Sequence, residues 1–300
     1  MLTSSLQKAL AQTTHDPELL KVMDYAVFPA GKMFRPKLVE ALSLDLKTNS
    51  KEYLSLSSAI ELHHAYTLVH DDLPPMDNDL MRRGKPSTHV AFGEWKAILA
   101  GDALLIASFH ELMKIKSPQM IEIHRLFTWA TGAKGLILGQ FLDLDAKGKA
   151  SFQETIRIHE LKTGRLIQVA TLGCYFLSEA KPSLKAKIEY LRLGREIGVS
   201  FQLLDDLSEL AEGFISPHER EINPFITSPS EALNELQNSI YRLGTLIKKY
   251  KLVHVEKMLG EYFRKSQENL NNGMSMLESN LHETSSLADL KIWITNFSYT

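Results

Sequence analysis

The chain has 300 residues, of which 44% are hydrophobic and 23% are charged, a composition typical of a folded globular protein. Its 34 Lys and Arg residues are balanced by 36 Asp and Glu residues, so it lacks the basic excess expected of a nucleic-acid-binding protein. The single cysteine, Cys174, excludes an intrachain disulfide and a cysteine-rich zinc site and fits a reducing compartment.

The N-terminal residues and the apolar stretches favour a cytoplasmic protein. The first ten residues, MLTSSLQKAL, lack the charged and then apolar pattern of a signal peptide. The best apolar stretch, Ala97 to Phe109, is interrupted by Asp102 and is too short to span a bilayer. We therefore expect a cytoplasmic protein that neither spans a membrane nor binds nucleic acid.

Helical signals follow one another along the chain, and we find no alternating strand pattern and no Asn-Gly or Asp-Gly hairpin. Residues 97–113 are apolar on most faces, which predicts a helix inside a bundle. Ser151 and Glu154 form a capping box that opens the helix predicted for 152–179. The remaining predicted helices are 36–46 with Pro36 as its first residue, Leu54–Asp72, Leu184–Leu210 and two or three within 230–280.

One segment departs from this pattern. Gly213–Ser230 contains Pro217, Pro224 and Pro229 and is predicted to be a loop near a functional site, because helical patterns continue beyond it. No other stretch is rich enough in Gly, Ser or Pro to divide the chain. The sequence therefore predicts an all-α protein, a single large helical bundle that forms one domain over residues 1–300.

Two groups of carboxylates end two of the long predicted helices. They are His70-Asp71-Asp72-Leu-Pro-Pro-Met-Asp77-Asn78-Asp79 and Gln202-Leu-Leu-Asp205-Asp206-Leu-Ser-Glu209. We expect the turn at the two prolines to return Asp77 towards Asp71, and the spacing puts Asp205 on one helix face with Gln202. Two like charges about 4 Å apart repel by roughly 1–4 kcal/mol at effective dielectric constants of about 80 to 20. Such groups persist if water solvates them or a cation joins them.

A solvated acidic helix end is the ordinary explanation for paired aspartates, and three features weigh against it here. Asp71 and Asp72 lie at the negative end of a helix dipole. Their flanking residues are apolar, and Arg82 and Arg83 follow the first group. Carboxylates are the ligands that magnesium prefers, and magnesium commonly bridges them to phosphate oxygens. Carboxylates and arginines together therefore predict a polyphosphate ligand held through magnesium.

Two further segments carry basic side chains that suit an anionic ligand. Lys32 and Arg35 follow Gly31 at the start of a predicted helix, where free backbone N–H groups also favour anions. Lys162-Thr163-Gly164 places a glycine inside a predicted helix, which suggests a close approach by a neighbouring helix or a ligand. His64 lies seven residues before Asp71 and hence on the same helix face. A Walker loop, a G-x-G-x-x-G motif after a strand and an H-E-x-x-H motif are all absent from the sequence.

Asp71-Asp72-x4-Asp77 followed by Arg82-Arg83-Gly84 resembles the first aspartate-rich motif of trans-isoprenyl diphosphate synthases, and most closely that of the bacterial farnesyl diphosphate synthases. The likeness runs in order from Phe28 to Leu210. Its other elements are Gly31-Lys32-x2-Arg35-Pro36, His64-Ala-Tyr66, Lys85-Pro-Ser-Thr-His89, Gly139-Gln140, Lys162-Thr163-Gly164 and Phe201-Gln202-x2-Asp205-Asp206.

The resemblance implies a fold, an assembly and a set of residue roles. The fold is the all-α isoprenoid synthase bundle around a central cavity, and the assembly is a homodimer. The implied ligands of three magnesium ions are Asp71, Asp77 and Asp205, with Asp72 as a supporting carboxylate. The allylic diphosphate is assigned to Arg82, Lys162, Thr163 and Gln202. Isopentenyl diphosphate is assigned to Lys32, Arg35, His64 and Arg83.

The same resemblance suggests what limits product length. Tyr66 and Thr67 precede Asp71 by five and four residues, about 6–7.5 Å along a helix that rises 1.5 Å per residue. Tyr66 is bulky and is the expected floor of the pocket for the growing chain, although it also fits an ordinary core aromatic. We expect a C15 product.

The sequence departs from the family pattern in three places. Glu209 ends the second motif where the family has an aspartate, and Ala30-Gly31 replaces paired glycines. The family also has a lysine-containing segment after the second motif, whereas Pro217–Pro224 contains no lysine. Arg220 is a candidate substitute, although arginine and lysine are not equivalent at such sites.

Three other functions compete with a farnesyl diphosphate synthase. A geranylgeranyl diphosphate synthase would differ only in product length. A terpene cyclase shares the ionisation chemistry but needs no second diphosphate site, so Lys32, Arg35 and His64 argue against it. A low-activity or non-catalytic prenyltransferase subunit is supported by the lysine-free segment.

We predict that Asp71→Ala and Asp205→Ala each lower kcat by at least about 100-fold, the scale of losing one electrostatic group that stabilises a transition state. Activity should also require magnesium. Steady-state rates with and without EDTA check both expectations. Full turnover in EDTA, or near-normal rates in both variants, would contradict the metal-bridge hypothesis.

Overall fold

The computed structural model describes residues 2–146, 150–213, 215, 217–281 and 287–296. Nearly all the regular structure in these residues is helical, which confirms the all-α prediction. No helix in these ranges is long and apolar enough to cross a membrane. The helices are α1 Leu2–Ala11, α2 Pro17–Val27, α3 Phe34–Asp45, α4 Ser50–Asp71, α5 Thr88–Phe92, α6 Glu94–Leu112, α7 Met120–Thr131, α8 Leu136–Ala146, α9 Phe152–His159, α10 Arg165–Leu177, α11 Leu184–Glu212, α12 Pro217–Ile222, α13 Pro224–Thr227, α14 Pro229–Tyr250, α15 Val253–Asn272, α16 Met274–Leu281 and α17 Leu287–Asn296.

The described chain divides into two compact units, Met1–Arg125 with Gly173–Lys181 and Leu126–Leu172 with Pro182–Thr300. In the first unit α4 packs along α3 and α6, and its central turns are buried. Apolar side chains from α1, α2, α4 and α6 form one core, which includes Leu10, Met23, Leu62 and Leu104. The single domain expected over residues 1–300 stays a prediction.

In the second unit the 29-residue α11 is the element on which most others pack. It contacts α14, α15, α16 and the segment Glu160–Gly164. Its buried residues include Leu203, Leu207 and Leu210, whose spacing of three to four residues gives this part of the helix an apolar face. The same helix carries the second carboxylate group, Asp205, Asp206 and Glu209.

The helix predicted for 152–179 is present but divided. The capping box is confirmed, since Ser151 Oγ accepts from the Glu154 N–H while the Glu154 side chain accepts from the Ser151 N–H. Between α9 and α10, Glu160–Gly164 forms a π-helical turn. Such turns add one residue to a helix and re-aim the side chains beyond it, which a 3.6-residue pattern does not reveal.

Most other predicted helices are confirmed with shifted ends. The helix predicted for 36–46 begins two residues earlier, at Phe34, because a proline is tolerated anywhere in a first turn whose N–H groups have no intrahelical partner. The long helix predicted to end at Asp72 ends at Asp71, with Asp72 as its C-cap. Residues 230–280 fall into three helices, α14, α15 and α16.

The loop predicted for Gly213–Ser230 is wrong for the described part of that segment. Two short helices, α12 and α13, begin at Pro217 and Pro224, and α14 begins at Pro229. Proline at the first position of a helix fixes φ without the loss of a hydrogen bond, so these prolines start helices rather than break them.

The expectation of no strands is also wrong at one place. Met81–Arg82 (β1) pairs antiparallel with Lys85–Pro86 (β2). The two residues of the turn, Arg83 and Gly84, have φ values of 55° and 76°. Left-handed conformation at both turn residues is the geometry of a tight hairpin, and it usually requires Asn or Gly at the first position. Because Arg83 occupies this position, the sequence lacks the usual hairpin pattern and the hairpin was not predicted.

Helix α6 is less buried than its composition predicts. Trp95, Leu99 and Ile106 are 65%, 53% and 65% exposed, while Ala97, Ala100 and Leu104 on the opposite side are buried. Spacings of four and seven residues put the exposed side chains on one face of the helix. The expected interior position is therefore wrong for this face of the single chain.

A deeply buried histidine, His63, makes the stability of the first unit pH-dependent. His63 is 1% exposed, and burial lowers its pKa to about 3. In the unfolded chain a histidine titrates near about 6.5, so below that pH the unfolded state binds a proton that the folded state does not. The free energy of unfolding should then fall as pH falls, by up to about 1.4 kcal/mol per pH unit for this group.

We predict that His63→Gln reduces the loss of stability between about pH 7 and pH 5, since glutamine takes up no proton on unfolding. His15→Gln is the matched control, because His15 is exposed. Urea unfolding at several pH values measures the slope. An equal slope in the wild-type protein and in His63→Gln would show that this histidine does not contribute.

Candidate active site

The first carboxylate group is built by the end of α4 and a tight turn. After Asp71 the chain turns at the two prolines, and the Asp77 N–H donates to the Asp71 carbonyl at 2.9 Å. The Asn78 N–H donates to the Leu73 carbonyl at 3.1 Å and closes the same turn. The predicted return of Asp77 towards Asp71 is confirmed. The two predicted metal ligands of the first motif are therefore neighbours through the backbone.

Arg82 neutralises the other two carboxylates of this group. Its guanidinium donates to Asp72 Oδ1 through Nε at 2.9 Å and through Nη2 at 2.5 Å, and Nη2 also donates to Asp79 Oδ2 at 2.5 Å. Asp72 is 2% exposed, and burial raises its pKa while the hydrogen bond from Arg82 opposes the shift. Asp72 therefore holds the Arg82 guanidinium in place, and its role as a supporting carboxylate stays a prediction.

The next arginine faces a different part of the first unit. Arg83 Nη1 donates to the carbonyls of Val27 and Pro29 at 3.1 and 3.2 Å, and Nη2 lies 3.9 Å from Glu61 Oε1. A Cβ on Gly31 would lie 3.0 Å from Arg83 Nε, so glycine permits this close approach. The two adjacent arginines of the hairpin therefore have different partners. Arg82 binds aspartates of the first carboxylate group, whereas Arg83 binds backbone carbonyls and lies near Glu61.

His64 lies among these basic side chains and is neutral. Burial lowers its pKa far below the usual range, and the charges of Arg35 and Arg83 lower it further. Lys32, by contrast, is exposed on the segment that precedes α3. The structure therefore brings Arg35, His64 and Arg83 together, with Lys32 three residues from Arg35.

Glu61 is the counter-charge that sequence reasoning missed. It is 3% exposed, and burial raises its pKa while the charges of Arg35 and Arg83 lower it. Its position three residues before His64, on the same face of α4, was the available signal. A single carboxylate leaves this cluster with a net positive charge suited to an anion.

In the second unit, polar side chains of α9, the π-helical turn and α11 form a connected chain. Thr163 Oγ1 donates to Gln202 Oε1 at 2.9 Å, and Gln202 Nε2 donates to Asp206 Oδ1 at 2.9 Å. His159 Nε2 lies 3.6 Å from Asp206 Oδ2. Burial raises the pKa of Asp206 to about 8 and lowers that of His159 to about 4.

The predicted basic residue of this unit has a carboxylate partner. Lys162 Nζ lies 2.6 Å from Asp143 Oδ2, and Asp143 was not among the predicted site residues. A small cavity of about 80 Å³ lies beside it, with Asp143, His159, Asp206, Glu209 and Glu221 in its lining. Asp205, the predicted metal ligand, is half-buried on α11 next to Asp206.

A glycine contact positions the turn that carries Lys162 and Thr163. A Cβ on Gly198 of α11 would lie 2.6 Å from Gly164 Cα, closer than packed atoms allow. A Cβ on Gly139 of α8 would lie 2.4 Å from the Lys162 backbone nitrogen. The close approach suggested by Gly164 is confirmed, and it depends on glycines of the facing helices.

The donor chemistry of both carboxylate groups suits magnesium. Among the residues that the structure describes, no three His, Cys, Asp or Glu side chains are arranged to hold a metal ion by themselves. Magnesium needs no such cage, since it keeps several waters and is held by one or two carboxylates together with substrate phosphates. Asp71 and Asp77, which a backbone hydrogen bond brings together, fit this mode of binding.

The lysine-free segment is held by amide side chains. Asn223 Nδ2 donates to the Asp206 carbonyl at 2.9 Å, and Arg220 Nη2 donates to Asn280 Oδ1 at 3.3 Å. Asn280 Nδ2 in turn donates to the carbonyls of Leu210 and Gly213. Arg220 therefore contacts α16 through Asn280, and Asn280 itself holds the end of α11.

Tyr66 and Thr67 lie in the core beneath the first motif. The Tyr66 ring contacts those of His63 and His70 edge to face, at centroid distances of 4.7 and 5.4 Å. Thr67 Oγ1 donates to the His64 carbonyl at 2.8 Å, so this hydroxyl is satisfied within α4. Tyr66 belongs to the apolar core shared by α4 and α6.

A family model described as polyprenyl synthetase matches residues 16–213, which contain both carboxylate groups and the predicted basic residues from Lys32 to Lys162. The chain belongs to the polyprenyl synthetase family. The farnesyl diphosphate synthase of Micrococcus luteus is 36% identical over 200 residues, which make up 65% of this chain and 68% of that relative. This membership confirms the family to which the ordered motifs pointed.

Other relatives define how far the similarity extends. The geranylgeranyl diphosphate synthase of Cyanophora paradoxa is 37% identical over 193 residues, 62% of this chain and 63% of its own. The solved geranyltranstransferase of Thermotoga maritima superposes with a TM-score of 0.76 and 27% identity, over 89% of this chain and 97% of its own. Polyprenyl synthetases with different product names are thus equally similar in sequence, and the shared fold extends beyond residue 213.

We predict that Gly198→Ala destabilises the protein by about 1–3 kcal/mol, the usual cost of overpacking, because its Cβ meets backbone rather than a flexible side chain. Gly244→Ala in α14 is the matched control, since nothing lies within 4 Å of its added Cβ. The control should stabilise the helix by roughly 0.5–1 kcal/mol. Chemical unfolding of both variants measures the difference, and equal stabilities would contradict the close packing.

Proposed function

We propose that this polyprenyl synthetase is a short-chain trans-prenyl diphosphate synthase that joins isopentenyl diphosphate to dimethylallyl or geranyl diphosphate. The observation that carries the proposal is the family match over 16–213, which includes two aspartate-rich motifs and two separate sets of basic residues. Two sets of cations suit two diphosphates.

The cluster around His64 is the proposed site of isopentenyl diphosphate. Arg35 and Arg83 are held near each other by the buried Glu61, and Lys32 extends from the preceding segment. Arginine forks bind phosphate oxygens through two N–H groups at once. His64, being neutral, offers a hydrogen bond without adding charge.

The allylic diphosphate is assigned to Arg82 and to the Lys162, Thr163 and Gln202 group. Asp72 and Asp79 orient Arg82, Asp143 orients Lys162, and the Thr163 hydroxyl orients the Gln202 amide. Side chains held in place by such partners lose little freedom when a ligand binds. They are therefore pre-organised for an anion.

Magnesium, assigned to Asp71, Asp77 and Asp205 and expected as three ions, would neutralise charge on the departing diphosphate. The chain itself supplies no nucleophile in this scheme. Lys162 and Arg82 stabilise the leaving diphosphate, apolar helix faces exclude water from the allylic cation, and the released diphosphate takes the final proton.

A homodimer and a cytoplasmic location belong to the same proposal. The exposed face of α6, with Trp95, Leu99 and Ile106, is the feature that supports a dimer. Large apolar side chains that share an exposed face usually mark a protein interface. A second copy of the chain is the expected occupant of this face.

A C15 product is proposed, with a geranylgeranyl diphosphate synthase as the second candidate because a relative of that name is equally similar. A terpene cyclase would leave the basic cluster around His64 without a ligand. A non-catalytic subunit is favoured only by the lysine-free segment, where Arg220 is engaged by Asn280.

Incubation with radiolabelled isopentenyl diphosphate and dimethylallyl diphosphate, followed by product sizing, tests the proposal. Labelled C15 diphosphate is the expected result. Labelled C20 diphosphate would favour the second candidate. A cyclic hydrocarbon formed from an allylic diphosphate alone would indicate a cyclase, and no product with any allylic partner would indicate a non-catalytic subunit.

We predict that Lys32→Ala and Arg35→Ala raise KM for isopentenyl diphosphate by about 10- to 150-fold, the equivalent of one charge-assisted hydrogen bond. Lys162→Ala should instead weaken use of the allylic substrate. Steady-state kinetics with each substrate varied in turn separates the two effects, and Lys37→Ala, an exposed lysine of α3, is the control for charge loss. If all three variants alter the same KM, the division into two sites is wrong.

We predict that Tyr66→Ala and Tyr66→Ser lengthen the product to C20 and above, because the aromatic ring fills the core beneath the first motif. Tyr66→Phe keeps the ring and should leave the product at C15. Chromatography of the dephosphorylated products measures chain length. An unchanged profile in a folded Tyr66→Ala would move the pocket floor to another helix.

A further inference from the structure

The C-terminal end of α2 is capped by the β1–β2 hairpin. The last carbonyls of a helix have no intrahelical partner, and cations are favourable there. Lys85 Nζ donates to the carbonyls of Tyr25 and Phe28 at 2.6 and 2.5 Å. Arg83 donates to those of Val27 and Pro29. Two cations of one hairpin thus bind four carbonyls within five residues.

Lys85 is held in this position by further contacts. Its ammonium lies 3.5 Å from the centre of the Tyr25 ring, and the Tyr25 hydroxyl donates to the Pro86 carbonyl at 2.7 Å. The side chain is half-buried, and burial lowers its pKa, with the neighbouring charge of Arg83 lowering it further. A lysine desolvated in this way keeps its charge through the carbonyl dipoles around it.

The hairpin has a fixed position of its own. Arg82 pairs with Lys85 across the strands, and its guanidinium is bound by Asp72 and Asp79. Arg82 therefore binds the hairpin to the first carboxylate group. Lys85 binds it to the end of α2. The segment that follows these carbonyls contains Gly31, which packs against Arg83. Lys32 and Arg35 come next in the chain.

We propose that Lys85 is a positioning residue for isopentenyl diphosphate: by holding the end of α2, it places the segment that carries Lys32 and Arg35. The inference rests on the proposed function of that basic cluster. Lys85 itself need not touch the substrate, since both of its recorded hydrogen bonds go to backbone carbonyls. Loss of Lys85 should therefore weaken the binding of isopentenyl diphosphate and leave the binding of the allylic substrate unchanged.

The test compares Lys85→Met with Lys85→Arg, which keeps a donor to both carbonyls, and with Lys21→Met, which removes an exposed lysine of α2. Isothermal titration with isopentenyl diphosphate alone gives Kd, and steady-state kinetics give both KM values. Lys85→Met should raise Kd and KM for isopentenyl diphosphate by about 10-fold, the scale of one charge-assisted contact. The allylic KM and kcat should stay within about twofold, and the arginine variant should recover most of the affinity.

A second, milder variant tests the same role if Lys85→Met does not fold. Tyr25→Phe removes only the bond to the Pro86 carbonyl and should raise Kd for isopentenyl diphosphate by about threefold, less than the loss of a charged contact. Thermal unfolding confirms that each variant is folded. Unchanged affinity for isopentenyl diphosphate in folded Lys85→Met, or equal weakening of both substrates, would overturn the positioning role.

The outcome also separates this inference from the proposed function. Wild-type protein that makes a prenyl diphosphate, together with a Lys85→Met variant of normal affinity, refutes the positioning role alone. Wild-type protein that fails to bind isopentenyl diphosphate refutes both. Binding without turnover, with weakened binding in Lys85→Met, supports the positioning role in a non-catalytic chain.

Discussion

The interaction between Arg82 and the buried Asp72 is the contact on which the rest of the site depends. The end of α4 concentrates four aspartates within nine residues, an arrangement that like-charge repulsion opposes. Arg82 neutralises two of them through charge-assisted hydrogen bonds and at the same time fixes one side of the hairpin. Asp71 and Asp77 are brought together separately, by a backbone hydrogen bond in the same turn.

The same principle of local compensation recurs in each charged cluster. Glu61 lies among the arginines of the first unit, and Asp143 pairs with Lys162 in the second. A buried charge is tolerated when a partner and hydrogen bonds replace the water that it loses. Arg82, Arg83 and Lys162 therefore each lie beside a carboxylate that holds the cation in place.

The all-α class, the long helices and the return of Asp77 were predictable because they depend on local periodicity and on proline geometry. Asp143 and His159 were not, and Glu61 offered only its helical position near His64, because the importance of all three arises from neighbours distant in sequence. The π-helical turn at Glu160–Gly164 and the hairpin at Arg83-Gly84 also escaped prediction, since neither has the residue pattern that usually marks it. The exposed face of α6 was missed because composition does not distinguish a fully buried apolar helix from one with an exposed apolar face.

A double-mutant cycle on the free energy of unfolding, with Arg82→Met and Asp72→Asn, tests the central claim most directly. If the pair anchors the hairpin to the end of α4, the two substitutions should be coupled by roughly 1.5–3 kcal/mol, as expected for hydrogen bonds between charged groups. Effects that add to within about 0.5 kcal/mol would mean that the two side chains act independently. That result would contradict the account of the site given above.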